Sequence, residues 1–222
     1  MSGPVSRPAV GRLRVAALGD SITAGTPGWD PDPGVRAGLA APEPRSQWMF
    51  WAERSDPAVT FENHGVNRER TDQIALRLDA ALEGAAAVVI QGGINDIVQK
   101  RPIEVAADHI AAMIRRARER VADVLVANVL PWNNGDDEAR EAIRRLNERI
   151  AALATDQGVL LLPFYATLED PDRPGRMASF WTVEGNHPSV EGHRRLGELA
   201  WPAGALASRA SASSLLNDDA AS

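Results

Sequence analysis

Short apolar runs alternate with longer amphipathic segments along this chain of 222 residues. Runs rich in Val, Ile and Leu and bounded by polar residues, glycine or proline are typical of strands buried on both faces. They predict five strands, at residues 13–18, 59–61, 86–90, 124–130 and 159–162.

Between these runs, apolar residues recur at the spacing of amphipathic helices. The spacing is regular in three segments, from Ile74 to Leu82, from Ile103 to Val121 and from Ala139 to Leu153. Strands alternating with helices predict an α/β fold, a three-layer α/β/α sandwich around a parallel sheet of about five strands. Such sheets place their sites at the carboxyl ends of the strands.

Three short polar motifs are candidates for such a site, and two of them follow predicted strands. Gly19-Asp20-Ser21-Ile22-Thr23 follows the first predicted strand, and Gly93-Ile94-Asn95-Asp96 follows the third. Glu184-Gly185-Asn186-His187-Pro188-Ser189 lies near the other end of the chain. Each motif alone has an ordinary structural interpretation as a turn or a helix cap, so their joint occurrence and order carry the functional interpretation.

The residue types in these motifs predict nucleophilic catalysis. A serine hydroxyl is a weak nucleophile at neutral pH, so Ser21 needs a base, which His187 can supply, and an acid that orients the base, which Glu184 can supply. If Ser21 begins a helix, its own N–H points towards the position of a developing oxyanion. Asn95 places a further polar side chain at another strand end.

The three motifs together resemble those of the SGNH hydrolases, also called the GDSL esterase/lipase family, over roughly residues 13–201. The resemblance implies a flavodoxin-like SGNH hydrolase fold and a serine esterase that works without a cofactor on small-molecule esters. It implies Ser21 as nucleophile, His187 and Glu184 as base and acid, and Asn95 as an oxyanion donor. Asp20 and Asp96 would be supporting residues.

Two positions depart from the family pattern. The family's remaining oxyanion donor is a backbone N–H of a glycine, and Arg68 stands at that position, so either Arg68 or Gly65 is expected to supply it. Arg68 could also project into the pocket and bind an anionic or polyhydroxylated substrate. Glu184 replaces the usual Asp. Two alternatives therefore stay open, an acyltransferase with the same triad and a catalytically silent domain that binds acyl or sugar ligands.

Composition narrows the classes of partner. Hydrophobic residues make up 44% of the chain and charged residues 24%, which is typical of a globular domain. A net charge of -6 disfavours binding to nucleic acid. The chain has no cysteine and no H-E-x-x-H, so we expect no metal site.

The apolar run at residues 13–18 is too short for a membrane span or a signal-peptide core, so we expect a cytoplasmic protein with no membrane span. The expected organisation is a flexible segment at 1–11, one domain at 12–202 and a flexible tail at 203–222. The irregular segment from Thr26 to Ser46 is long enough to be a lid or a binding loop.

Six tryptophans against one tyrosine is an unusual aromatic balance. Trp132, Trp48 and Trp181 lie near the predicted site in sequence and are candidates for a substrate pocket that accepts an acyl chain, an aromatic ester or a sugar face. The alternative is that Trp48, Trp51 and Trp201 are core residues of helices.

Overall fold

A computed structural model describes residues 11–121, 123–204 and 206. Its centre is a five-stranded parallel sheet in the order β2-β1-β3-β4-β5, which is the flavodoxin-like order. The strands are β1 (Leu13–Gly19), β2 (Val59–Gly65), β3 (Ala87–Ile90), β4 (Asp123–Ala127) and β5 (Leu160–Leu162). The predicted α/β fold with its parallel sheet is confirmed.

Successive residues of the central strands pack into two different cores. In β1, Val15 and Ala17 belong to one core, whereas Ala16 and Leu18 belong to the other. The same alternation continues in β3 and β4, because successive side chains of a strand point to opposite faces of the sheet. Both faces are therefore covered, as the continuous apolar runs predict.

Helices cover the two faces unequally. One face carries α4 (Thr71–Leu76), α5 (Leu78–Ala81), α7 (Ile103–Arg118) and α8 (Asp137–Gln157), with α6 (Ile94–Val98) at its edge. The other face carries α3 (Trp48–Ser55), α9 (Phe164–Leu168) and the C-terminal pair, which consists of α10 (Val190–Arg195) and a π-helical turn (Leu196–Ala200). Two short helices, α1 (Ser21–Ala24) and α2 (Pro33–Arg36), lie in the connection from β1 to α3.

The longest helix has clear boundary signals. Asp136 caps the start of α8 by accepting a hydrogen bond from the amide of Ala139 at 2.8 Å. Gly158 ends it at φ 62°, a left-handed conformation that glycine adopts without steric cost. The helix begins before the predicted segment and ends after it, because the additional residues at both ends are mostly polar and lie outside the apolar pattern.

Two differences from the predicted strands have physical reasons. β2 continues four residues beyond Phe61. The apolar pattern does not reveal this part of the strand, because Glu62, Asn63 and His64 are polar and only partly buried at the edge of the sheet. The predicted fourth strand ends early, at Ala127, because the backbone groups of Val129 pair with the side chain of Asn147.

One supersecondary element was not predicted at all. An antiparallel hairpin of β6 (Glu169–Asp170) and β7 (Arg173–Met177) follows α9. Its residues are mostly polar, or glycine and proline, so they lack the apolar alternation by which strands are recognised.

The expected flexible segments at 1–11 and 203–222 lie almost entirely outside the described residues. Within the part that the structure describes, no helix has both the length and the apolar composition that crossing a bilayer requires. The cytoplasmic location expected from the sequence stays a prediction.

Candidate active site

Ser21 is the first residue of α1, directly after the carboxyl end of β1. Asp20 caps this helix, and its carboxylate accepts a hydrogen bond from the amide of Ile22 at 3.0 Å. Within the described residues, the amide of Ser21 itself has no acceptor. The turn therefore presents the hydroxyl of Ser21 and the unbonded N–H of the same residue side by side.

A buried hydrogen-bond network holds this turn from below. The Oε1 atom of Gln91 accepts from the Asp20 amide at 3.2 Å and from the Thr23 hydroxyl at 2.8 Å. A Cβ atom at Gly19 would lie 2.4 Å from the Thr23 hydroxyl oxygen, so only glycine allows this close packing. Sequence reasoning missed Gln91, which follows β3 but belongs to no motif.

Asp20 is fully buried, and one of its two carboxylate oxygens has no hydrogen-bond partner in the described structure. Burial raises the pKa of Asp20 to about 6, because removing water disfavours the charged form. The hydrogen bond from the Ile22 amide acts in the opposite direction but does not compensate.

The catalytic base predicted for Ser21 lies beside it. The Nε2 atom of His187 is 3.1 Å from the hydroxyl oxygen of Ser21, although 166 residues separate them in the chain. On the other side of the ring, Nδ1 bonds to a carboxylate oxygen of Glu184. With Nδ1–H donating to the carboxylate, Nε2 carries the lone pair that accepts the serine proton.

Glu184 also holds the backbone of the residue that it orients. Its second carboxylate oxygen accepts from the His187 amide at 3.2 Å. Partial burial works to raise the pKa of Glu184, but the hydrogen bonds and charge of His187 outweigh it and leave the pKa below its usual value. The side chain of Glu184, which is one methylene longer than that of Asp, thus bonds to both the ring and the backbone amide of His187.

The loop that carries Glu184 and His187 is fixed by its neighbours. The hydroxyl of Thr182 donates to the carbonyl of His187 at 2.8 Å and accepts from the amide of Gly185 at 2.9 Å. From the loop after β4, the Asn134 side chain donates to the carbonyl of Glu184 at 2.8 Å. Thr182 carries no sequence signal that would have singled it out.

Asn95 lies in the first turn of α6, at the carboxyl end of β3. Its side-chain amide donates to the carbonyl of Glu69 at 2.9 Å, and its second N–H has no acceptor in the part of the chain that the structure describes. Asp96 is buried and accepts from both the amide and the hydroxyl of Thr71, at 2.9 and 3.0 Å. These bonds join α6 to the loop that follows β2 and to the first residue of α4.

The two positions proposed for the backbone oxyanion donor are Gly65, the last residue of β2, and Arg68, in the loop that follows it. Gly65 does not fit this role, because its amide already donates to the Asn63 side chain at 2.8 Å. Its own importance is steric, since a Cβ there would lie 2.1 Å from the amide nitrogen of Ala24. Arg68 adopts φ 68°, the left-handed conformation usual for glycine, and within the described residues its amide has no acceptor.

The prediction that Trp48 lines a substrate pocket is wrong. Trp48 is fully buried and packs edge-to-face against Phe61 and Phe164, with ring centroids 5.2 and 5.5 Å apart. Trp181 is partly buried against the same core, with the guanidinium of Arg195 4.3 Å above its ring. Trp132 does adjoin the site, because its indole N–H donates to the Asn186 side chain at 2.6 Å.

Neither His109 nor His193 forms a hydrogen bond to Ser21, His187 or Glu184 in the described structure. His109 is 3.1 Å from the Thr71 hydroxyl through Nδ1. His193 is fully buried with no hydrogen-bond partner for either ring nitrogen in the described structure, and burial lowers its pKa to about 3. In residues 11–121, 123–204 and 206, no three His, Asp or Glu side chains are grouped as around a metal ion.

The chain is similar to proteins of one known family. A family model described as the GDSL-like Lipase/Acylhydrolase family matches residues 17–195. No curated protein matches the sequence.

Solved structures with a similar fold include a protein of the G-D-S-L family from Desulfitobacterium hafniense DCB-2. It has a TM-score of 0.69 and 25% sequence identity over 84% of this chain and 97% of that one. A member of the lipolytic protein G-D-S-L family from Veillonella parvula DSM 2008 has a TM-score of 0.68 and 20% identity over 83% and 94% of the two chains.

A mutant of an acetyl-xylooligosaccharide esterase from Geobacillus Stearmophilus has a TM-score of 0.65 and 16% sequence identity over 84% of this chain and 92% of that one. At the identities of the last two structures, the similarity concerns the fold alone.

Proposed function

The chain belongs to the GDSL-like Lipase/Acylhydrolase family, and from this premise we propose that it is a serine esterase that hydrolyses carboxylic esters through an acyl-enzyme on Ser21. Membership confirms the family predicted from the motifs. The observation that carries the proposal is the 3.1 Å distance from the Ser21 hydroxyl oxygen to His187 Nε2, with Glu184 on the opposite ring nitrogen.

In the first half of the proposed reaction, the Ser21 oxygen attacks the ester carbonyl carbon while His187 Nε2 takes the hydroxyl proton. The carboxylate of Glu184 stabilises the imidazolium that forms. As the tetrahedral intermediate collapses, His187 returns this proton to the leaving oxygen. The alcohol departs, and the acyl group stays on Ser21.

In the second half, water attacks the acyl-enzyme and gives a proton to His187. The second tetrahedral intermediate releases the carboxylic acid, and the proton on His187 returns to the Ser21 oxygen. Three N–H groups are available for the oxyanion in both steps, from the Ser21 amide, the Asn95 side chain and the Arg68 amide. They come from the ends of β1, β3 and β2, three adjacent strands.

The proposal is tested by labelling and hydrolysis together. Purified protein is expected to react covalently with a fluorophosphonate at Ser21, as read by peptide mass spectrometry, and to hydrolyse p-nitrophenyl acetate. Ser21→Ala is expected to abolish labelling and to lower kcat by about 10³-fold or more. A Thr26→Ala variant, close in sequence but outside the triad, serves as the matched control. Hydrolysis undiminished in Ser21→Ala would refute the proposal.

A further inference from the structure

The loop that carries the acid and the base of the triad, residues 182–189, has a closed neck and an open tip. At the neck, the hydroxyl of Thr182 donates to the carbonyl of His187 at 2.8 Å, and the backbone pairs across the loop in an antiparallel bridge. The base therefore lies at the neck. The acid, Glu184, lies in the tip, which consists of residues 184–186.

The tip is held from outside by three consecutive residues of the loop after β4. Each of them donates a hydrogen bond to a different tip residue, from Trp132 to Asn186, from Asn133 to Gly185 and from Asn134 to Glu184. Within the part of the chain that the structure describes, every hydrogen bond to the tip from outside its own loop comes from these three residues. The backbone position of the acid therefore depends on them.

The side chain of Asn134 touches the whole tip. Its amide nitrogen donates to the carbonyl of Glu184 at 2.8 Å and to Oδ1 of Asn186 at 2.9 Å, so both of its N–H groups are used. Between these two residues, Gly185 has φ 90°, and a Cβ atom there would lie 2.7 Å from Asn134 Oδ1. The bare backbone of Gly185 thus lets the amide of Asn134 lie against the tip.

The segment that holds the tip is itself fixed. The side chain of Asn133 donates to the carbonyl of Met177 at 2.9 Å and accepts from the amide of Met177 at 2.7 Å, which ties the segment to β7. The amide of Gly135 donates to the carbonyl of Trp132 at 3.2 Å, and a Cβ on Gly135 would lie 2.6 Å from the indole ring. A group anchored in this way can hold another in a defined position.

We propose that Asn134 is a positioning residue of the esterase, which acts through Glu184 by holding the tip where the carboxylate reaches Nδ1 of His187. This inference rests on the proposed function and deepens it. In the described structure Asn134 forms no hydrogen bond to Ser21 or His187, so its action on the reaction is indirect.

The first test is Asn134→Ala, which removes both donors. For p-nitrophenyl acetate we expect kcat to fall by about tenfold or more, since a displacement of about 1 Å can cost about 10²-fold in rate. KM should stay the same, because the acid acts on the transition state. The midpoint of urea unfolding should also stay the same, because Asn134 is exposed.

Val98→Ala is the matched control. Val98 is also exposed and lines the same cavity of about 280 Å³ as Asn134, but its side chain has no hydrogen-bonding group. This variant is expected to retain the kcat and KM of the wild type. Comparing the two variants separates the loss of the two hydrogen bonds from a change in the cavity wall.

The second test is a double-mutant cycle with Glu184→Gln. If Asn134 acts through the charge of Glu184, adding Asn134→Ala to Glu184→Gln is expected to lower kcat by less than about twofold. A merely structural role would lower kcat by the same factor in both backgrounds. The rate of fluorophosphonate labelling of Ser21 gives a second measure of the same cycle.

Wild-type kcat in Asn134→Ala would overturn the inference, and so would an equal loss in both backgrounds. A raised KM with unchanged kcat would also overturn it, because Asn134 would then bind substrate. These outcomes leave the proposed function intact as long as Ser21→Ala is inactive. Undiminished hydrolysis in Ser21→Ala would instead refute the proposed function, and this inference with it.

Discussion

The side-chain amide of Asn95 donates to the backbone carbonyl of Glu69 at 2.9 Å. This bond ties the helix after β3 to the loop after β2, and that loop carries Arg68 in a left-handed conformation. The carboxylate of Glu69 is in turn bound by Arg77, at 2.6 and 2.9 Å. Two of the three proposed oxyanion donors, Asn95 and Arg68, are therefore positioned relative to each other through Glu69, the residue that follows Arg68.

Asn95→Ala is expected to lower kcat for p-nitrophenyl acetate by about 10²–10³-fold, because it removes one oxyanion donor and the tether of another. KM should change little, since the interaction strengthens as the oxyanion forms. Asn67→Ala, an exposed change in the same loop, is the control and should retain activity. Near-wild-type kcat in Asn95→Ala would remove Asn95 from the oxyanion site.

Glu184→Gln keeps the size of the side chain but removes the charge that orients and stabilises the His187 ring. We expect kcat to fall by about 10²–10⁴-fold, because the acid of a catalytic triad holds the histidine in the correct tautomer and stabilises the imidazolium. Glu184→Asp restores the charge with a shorter reach and should recover part of the loss. Full activity in Glu184→Gln, measured with the same ester, would show that another group orients the histidine.

His193 makes the fold sensitive to acid. Its pKa is about 3 in the folded chain because of burial, whereas an unfolded histidine titrates near 6.5. Below that pH the unfolded chain binds the additional proton, so folding stability is lost as pH falls from about 6.5 towards 3. Near pH 5 this linkage amounts to about 2 kcal/mol.

His193→Leu should remove this sensitivity. The variant is expected to lose less free energy of unfolding than the wild type between about pH 7 and pH 5, as measured by urea denaturation. An apolar side chain also leaves no unpaired ring nitrogens in the core. Parallel pH profiles of the two proteins would contradict the assignment of the acid sensitivity to His193.

Gly65→Ala is expected to displace α1, because the added Cβ would meet the Ala24 backbone at 2.1 Å. Backbone cannot move aside as a side-chain tip can, so we expect a destabilisation of about 1–3 kcal/mol and a lower kcat from the shifted Ser21. Thermal and urea unfolding would measure the first effect. Gly11→Ala, where an added Cβ has no neighbour within 4 Å, is the matched control. Equal stability of both variants would refute the close-packing argument.

The apolar runs of the sequence determined the parallel sheet, because residues buried on both faces of a strand must be apolar throughout. They did not determine the end of β2 or the β6–β7 hairpin, where mostly polar residues form an edge strand and a short hairpin. A pattern of apolar residues reports apolar burial, so it does not reveal strands built from polar residues.

The motifs determined the family and named the residues of the candidate site, because a nucleophile, a base and an acid require particular side chains in recognisable short motifs. Only the tertiary structure decided how they meet, since Ser21 and His187 come together across 166 residues. It also decided that Trp48 is a core residue while Trp132 lines two cavities. Both are large apolar residues in the sequence, and only their packing neighbours distinguish a core position from a pocket wall.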